Sequence, residues 1–414
     1  MPGTYRVQFS QVYFVFRYFT IGSESARMRV INVSNLAPGM KVGRPVVDDT
    51  GQILLNKGVN LTEEYIRALQ AKKFTGIYIT DENIEVTIDG DDDLNPVTRA
   101  KAISTIRKAF EIIEHQVPRL RDQSIEQFAK VFSTDAMKSL LGKGGPLDSL
   151  QGVVSGLMAE VLNRTTLAGL TSIKSVDQQL YSHSVDVCVV AMMIGRSVGL
   201  DESKLRQLAI GSLLHDIGKL FMNKAANERS QVRQHTLLGY ELLKNCPNPD
   251  ILAPHVALEH HEWQDGSGEP RGLMGSNALE RDRNLPTPVP TLVGEIAAVA
   301  NVYDNMLSGS HSRPPMTPDT VIQSMRAVAG THLNRAIVNA FVRLAPVYPL
   351  GTEVIVRSEP YKNFTAIVSK VNPTRLDKPV IILLKDNQGR PVAIDELNLA
   401  EDRNKDIQIR CKVT

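Results

Sequence analysis

Five histidines spaced along successive apolar helical stretches constrain this chain more than any other feature. His183 opens the run HSVDVCVVAMMIGRSVGL, and His215 and Asp216 sit within KLRQLAIGSLLHDIGKL. His235 opens the next helical stretch, and His260 and His261 close a fourth in ALEHHEWQDGSGEPRGL. Asn301 and Asp304 lie on a fifth, TLVGEIAAVANVYDNML. Histidine is scarce, nine in 414 residues, so this placement is a concentration. An apolar helix face tolerates an imidazole poorly without a partner, and an aspartate more poorly still. One buried histidine is ordinarily a satisfied core residue. Five with an aspartate, converging in one bundle, point to a divalent transition metal, for which imidazole and carboxylate are suitable ligands.

The surrounding pattern sets the architecture. From about residue 96 to residue 344 apolar residues recur at helical spacing, as in Ile103, Ile106, Phe110 and Ile113, and strand signals are few. Residues 28–88 instead alternate in short runs (RVINV, QILL, GIYIT) around one helix that Thr62 can cap, which predicts a small α+β module. After Pro349 the β-branched runs GTEVIVRS, FTAIVSKV and KPVIILLKD predict a small β-rich C-terminal module. The fold class expected is therefore mainly α, a helical bundle between two small modules. The divisions expected are 1–27, an extension from an upstream start or a disordered tail; 28–88; an acidic linker over 89–95; a helical linker region over 96–150; the histidine-bearing domain over 151–345; and 346–414. A helical face in 96–140 is a candidate homodimer surface, and other signalling proteins are the alternative partners.

Bulk composition excludes more than it assigns. A formal net charge of +2 argues against a nucleic-acid polymer as partner. Three cysteines (Cys188, Cys246 and Cys411) share no metal-ligand spacing and their odd number argues against a disulfide framework, so a cytoplasmic protein is expected. The apolar N-terminal stretch carries Arg6 and Arg17 and falls short of the roughly 20 residues a spanning helix needs.

On a regular helix His215 and Asp216 project about 100° apart. A carboxylate with two oxygens can bridge two metals, and Lys219, one turn on, can place an ammonium beside them. Metal pairs about 3.5–4 Å apart are a recurrent solution to phosphoester hydrolysis.

The ordered set HSVDV, LLHDIGK, His235, HHEWQDGSGEPRGL, AAVANVYDNM and GTHLN resembles the HD-GYP subfamily of HD-domain metal-dependent phosphohydrolases over roughly residues 153–345. The subfamily's hallmark is HHExxDGxGYP. The resemblance implies an HD-type bundle and a phosphodiesterase that cleaves cyclic-di-GMP to pGpG or GMP, using iron or manganese. It implies one metal held by His183, His215, Asp216 and Asn301, and a second held by Asp216, His235, His260 and His261, with Asp216 bridging. Lys219 and Asp216 would be the catalytic side chains. The turn bearing Gly268 and Glu269 would face substrate, with Arg271 and Arg313 available to phosphate or guanine.

The chain departs from the subfamily pattern at several places. Asn301 stands where the family has a ligating aspartate; its amide oxygen can coordinate but brings no charge, and Asp304 one turn on could compensate, though in the family that position is usually structural. Glu269 replaces the tyrosine of GYP, and a carboxylate facing a phosphodiester would repel it. Gln179 replaces the glutamate of three-metal members, so two metals are expected. The segment between Asp216 and His235 is also short. These departures leave two alternatives to a cyclic-di-GMP phosphodiesterase: a degenerate signalling scaffold or nucleotide sensor, and a phosphohydrolase for another nucleotide.

Overall fold

The computed structural model describes residues 28–48, 52–72, 74, 76–80, 94–117, 124–167, 180–222, 225–246, 252–280, 287–309, 313–392 and 396–412. The expectations for residues 1–27, for most of the acidic stretch 89–95 and for Gln179 lie outside these.

Alternating apolar residues build the first sheet. Strands β1 (Met28–Asn32), β2 (Lys41–Val42), β3 (Val46–Val47) and β4 (Ile53–Leu55) precede helix α1 (Glu63–Ala71) and strand β5 (Gly76–Thr80). β5 is central, antiparallel to β1 and β2, while β3 and β4 pair separately. Thr62 caps α1 as expected, its hydroxyl accepting from Tyr65 N at 3.2 Å. Val33, Val42, Leu61, Leu69 and Ile77 close a separate small core.

The helical region comprises α2 (Pro96–Gln116), α3 (Ile125–Phe132), α4 (Asp135–Leu141), α5 (Leu150–Val161), α6 (Leu180–Ser197), α7 (Glu202–Leu214), α8 (Glu228–Lys244), α9 (Ala253–Glu259), α10 (Leu292–Ser308), α11 (Pro318–Ala327) and α12 (Arg335–Val342). Starts are marked by side chains that accept from otherwise unpaired N–H groups: Asn95 before Pro96, Ser124 in a capping box with Gln127, and Asp201, Asn227, Thr291 and Asn334. Helix α6 is buried on all sides from Ser182 to Gly195, which marks it as the centre of the bundle. It packs against α7 and α10, while α9 packs against α7, α8 and α10. One hydrophobic cluster runs through these helices, and a buried ion pair, Arg99 Nη1 to Asp186 Oδ1 at 2.5 Å, ties α2 to α6.

The C-terminal module is a five-stranded antiparallel sheet of β6 (Glu353–Val356), β7 (Thr365–Lys370), β8 (Val380–Lys385), β9 (Glu396–Asn398) and β10 (Ile409–Cys411), in the order β10-β6-β7-β8-β9. Asp319 at the start of α11 accepts from Cys411 N at 3.0 Å, joining this sheet to the bundle. Among the described residues no helix is long and apolar enough to cross a membrane.

The observed class is the expected one, a mainly helical chain with small sheets at both ends. One local expectation is corrected. His215 and Asp216 are not inside a helix: α7 stops at Leu214, His215 is its C-cap, and Asp216 precedes a 3-10 turn over Ile217–Leu220. The reason is close packing. A Cβ on Gly218 would stand 2.0 Å from the His235 carbonyl oxygen and 2.7 Å from Gly239 N, so the chain turns where α8 presses against it.

Candidate metal centre

The break after α7 aims the Asp216 carboxylate into the space enclosed by α6, α8, α9 and α10. Its two oxygens face different partners. Oδ2 lies 3.4 Å from His215 Nε2 and 3.9 Å from His183 Nε2; Oδ1 lies 3.4 Å from His235 Nε2 and 3.8 Å from His260 Nε2. Two groups of ligand atoms result, His183 with His215 and Asp216, and His235 with His260 and His261, each spanning no more than 4.8 Å. The His261 ring packs on its neighbours, with centroids 4.3 Å from His260 and 5.2 Å from His235. His183, His215, Asp216, His235 and His260 are all buried.

Four of the rings are held by their far nitrogens. Nδ1 of His215 lies 2.8 Å from the Ser212 carbonyl, that of His235 2.9 Å from Gln231, and that of His260 3.0 Å from Ala257. Nδ1 of His183 lies 2.6 Å from Asp304 Oδ2. Carbonyl and carboxylate oxygens only accept, so each Nδ1 carries a proton and each Nε2 is the ring atom left toward Asp216. This second layer of hydrogen bonds is characteristic of metal-ligating histidines. Burial pushes His235 down to about 4 and, with repulsion between neighbouring rings, holds His260 and His261 well below the usual imidazole range. Burial also lowers His183, against the opposing pull of Asp304. For Asp216 burial alone would act upward, but the pull of its neighbours His215 and Lys219 outweighs it and holds the carboxyl well below the usual carboxylate range. Imidazoles kept neutral at His183, His235, His260 and His261 beside an ionised Asp216 are protonation states that metal binding requires.

His215 Nε2 and Asp216 Oδ1 are buried without a hydrogen-bond partner. Orphaned polar atoms of this kind are rare and mark a place for an ion. The donor set therefore fits divalent metal.

The remaining expected site residues are placed as follows. Lys219 Nζ lies 2.5 Å from Asp216 Oδ2 while the side chain stays 38% exposed, so it reaches both the carboxylate and the open side of the site. Asn301 is buried on α10, with its Oδ1 accepting from Asn305 Nδ2 at 2.8 Å. Asp304 is engaged with His183 Nδ1, which makes it an orienter of that ring rather than a replacement for Asn301. Gly268 is pressed onto the turn that carries His261, where a Cβ would meet Trp263 N at 2.3 Å and the His261 carbonyl oxygen at 2.5 Å. Glu269 does not stand as a bare charge: its carboxylate binds Arg229 Nε at 2.5 Å and lies 3.6 Å from Arg233 Nη1. The Arg271 guanidinium is bound to the buried Glu259, and its backbone N–H donates to Glu262 Oε1 at 2.9 Å, so it braces the loop. Arg313 is highly exposed and lies 3.7 Å from Glu228, at the start of α8.

Sequence reading missed the polar scaffold beneath the loop. Glu259 accepts from Thr291 N at 2.7 Å, Glu262 accepts from Leu273 N at 2.8 Å, and Gln264 Nε2 donates to Glu295 Oε1 at 2.7 Å. Asn334 Nδ2 donates to Glu295 Oε2 at 2.8 Å. The available signal was the two glutamates that flank His260 and His261 in EHHE.

The family model for the HD domain matches residues 171–337. A cyclic di-GMP phosphodiesterase of Pseudomonas aeruginosa, PA4108, is 30% identical over 216 residues, 50% of this chain and 49% of that protein. The cyclic di-GMP phosphodiesterase response regulator RpfG of Xanthomonas campestris is 30% identical over 164 residues, 37% of this chain and 40% of the relative. A 3′3′-cGAMP-specific phosphodiesterase of Vibrio cholerae is 24% identical over 177 residues, 40% of this chain and 32% of the relative. The aligned segments thus span half or less of these relatives' own lengths. Residues 171–337 thus match the HD domain, and this part of the chain, with its His/Asp cluster suited to metal, is similar to the cyclic-dinucleotide phosphodiesterases above.

Proposed function

We propose that the protein is a phosphodiesterase that hydrolyses cyclic-di-GMP to pGpG or GMP at a binuclear centre. His183, His215, Asp216 and Asn301 would hold one metal, and Asp216, His235, His260 and His261 the other. The observation that carries this reading is the division of the two Asp216 oxygens between two sets of histidine Nε2 atoms. When bound, a pair of iron or manganese ions supplies Lewis acidity toward phosphoryl oxygens and lowers the pKa of water.

The chain's own residues do the rest. The Nδ1–H contacts fix four rings, so the ligand atoms need little reorganisation on binding. Lys219 keeps ammonium donors toward the open side and would take a phosphoryl oxygen, offsetting charge that develops there. The loop bearing Gly268, braced by Glu262 and Arg271, would wall the substrate cleft beside His261. Relatives named for two different cyclic dinucleotides support this substrate class, and cyclic-di-GMP is the one in the names of PA4108 and RpfG.

A second reading is a domain that binds nucleotide or protein without turnover. The observation that favours it is the Asn301 amide, neutral and already engaged with Asn305. The experiment is cyclic-di-GMP turnover by protein purified anaerobically with iron or manganese, with Asp216→Ala as blank. The expected result is pGpG or GMP that disappears in the blank. Metal binding without product on any cyclic dinucleotide would leave the non-catalytic reading, and absence of metal would remove the binuclear centre.

A further inference from the structure

We propose that Arg229 and Arg233, held in place by Glu269, form a cationic lip that binds the second phosphate of a cyclic dinucleotide, the one not held at the metal centre. This assignment rests on the phosphodiesterase reading above.

Glu269 is firmly placed. Its N–H donates to the His261 carbonyl at 3.0 Å, Gly268 packs without room for a Cβ, and the Glu262 carboxylate ties down the N–H groups of Arg271 and Leu273. From this anchor the carboxylate, only 12% exposed, reaches back to the first turns of α8, where Arg229 and Arg233 stand one turn apart. The contact therefore joins α8, which carries His235, to the turn that follows His261.

The guanidiniums are not consumed by this contact. Arg229 uses Nε and Arg233 one Nη, and the two side chains stay 76% and 61% exposed. Ion pairs so exposed contribute little to stability, so a stabilising role accounts poorly for two arginines on one carboxylate. Two cations against one anion leave a net charge of +1 on the trio, and each planar fork retains donors whose geometry suits phosphate. Arg313 is paired with Glu228 at 3.7 Å, so that pair leaves the net charge of the trio unchanged. A glutamate where the subfamily has tyrosine thus presents positive charge to the substrate instead of negative. A cyclic dinucleotide carries two phosphates, of which one at a time can occupy the metal centre. The other is an anion that such a lip can bind, and a diester with one phosphate lacks it.

The test uses metal-loaded full-length protein and a slowly hydrolysed bisphosphorothioate analogue of cyclic-di-GMP, with Kd measured at low and high salt, alongside steady-state kinetics on cyclic-di-GMP. Arg229→Ala/Arg233→Ala is expected to weaken the analogue by about 10–100-fold and to flatten the salt dependence. KM should rise in step while kcat moves less than about twofold, the pattern of an interaction shared by ground and transition states. Arg229→Lys/Arg233→Lys should recover part of the loss. As a positioning residue, Glu269→Gln should give a smaller KM rise that Glu269→Asp reverses. Metal content and melting temperature identify any misfolded variant, for which the lysine pair supplies the answer. The lip is overturned if the alanine pair binds the analogue within about twofold of wild type, or if kcat falls with KM unmoved. Wild type that binds the analogue but cleaves nothing would sink the phosphodiesterase reading and leave the arginine comparison to judge the lip. Wild type that does neither would sink both.

Discussion

Replacing Asp304 with asparagine removes one charge and almost no volume from the centre of the bundle. Asp304 Oδ2 accepts from His183 Nδ1 at 2.6 Å, and both residues are buried. A hydrogen bond to a charged group contributes about 1.5–3 kcal/mol and a neutral one about 0.5–1.5 kcal/mol. If the new amide still turns its oxygen to Nδ1, the loss is about 1–1.5 kcal/mol, or roughly tenfold in affinity for the metal at His183. If it turns its NH2 instead, the ring must carry its proton on Nε2, which withdraws the ligand lone pair, and the loss moves toward about 100-fold. His235, His260 and His261 form a separate group of ligand atoms, so the second metal should be held as in wild type. Equilibrium dialysis against manganese, across a range that resolves the two sites, should show one binding step displaced and the other unmoved. Two wild-type steps would refute the argument and reduce Asp304 to a packing residue. Displacement of both steps together would mean that the two groups do not load independently through Asp216.

Two further outcomes follow from packing. Gly218→Ala would drive a Cβ against the backbone of α8 at His235 and Gly239, so a loss of about 1–3 kcal/mol or more and a reduced manganese stoichiometry are expected; a wild-type melting temperature with full metal would contradict the close approach. Burial pushes the Cys246 thiol up to about 12 and also raises Cys188 and Cys411. Because the thiolate is the reactive form, a raised pKa means little of it at pH 8. The folded protein should therefore react slowly with a disulfide reagent, and all three thiols quickly in urea; one fast equivalent in the folded state would show an exposed thiol.

Much of the fold was legible because its signals are local. Helix starts announce themselves through capping side chains such as Thr62, Asp201 and Thr291, and the β-branched runs after Pro349 form strands where they stand. The helix break at His215 was not legible. The apolar period of LAIGSLL continues smoothly toward it, and the interruption is caused by α8 packing on Gly218, a contact made by residues about twenty positions later. Periodicity carries no information about such an approach.

The same division runs through the site. Histidine and aspartate types on apolar stretches are visible in a sequence because their burial is costly without a partner, and four such imidazoles do face Asp216, with His261 packed on two of them. What a polar side chain does once buried depends on which partner reaches it. Spacing left Asp304 open as either a spare ligand or a structural residue, and His183, from a different helix, claims it. Arg271 looked free for phosphate, yet Glu259 holds it. Glu269 looked repulsive because only its own charge was in view. Its effect at the cleft is set by Arg229 and Arg233, forty and thirty-six positions earlier, and the sign of a local field belongs to the group of charges within a Debye length rather than to one residue. A departure from a motif is therefore weak grounds for assigning loss of function until its new partners are known, and here the new partners reverse the charge that the departure brought.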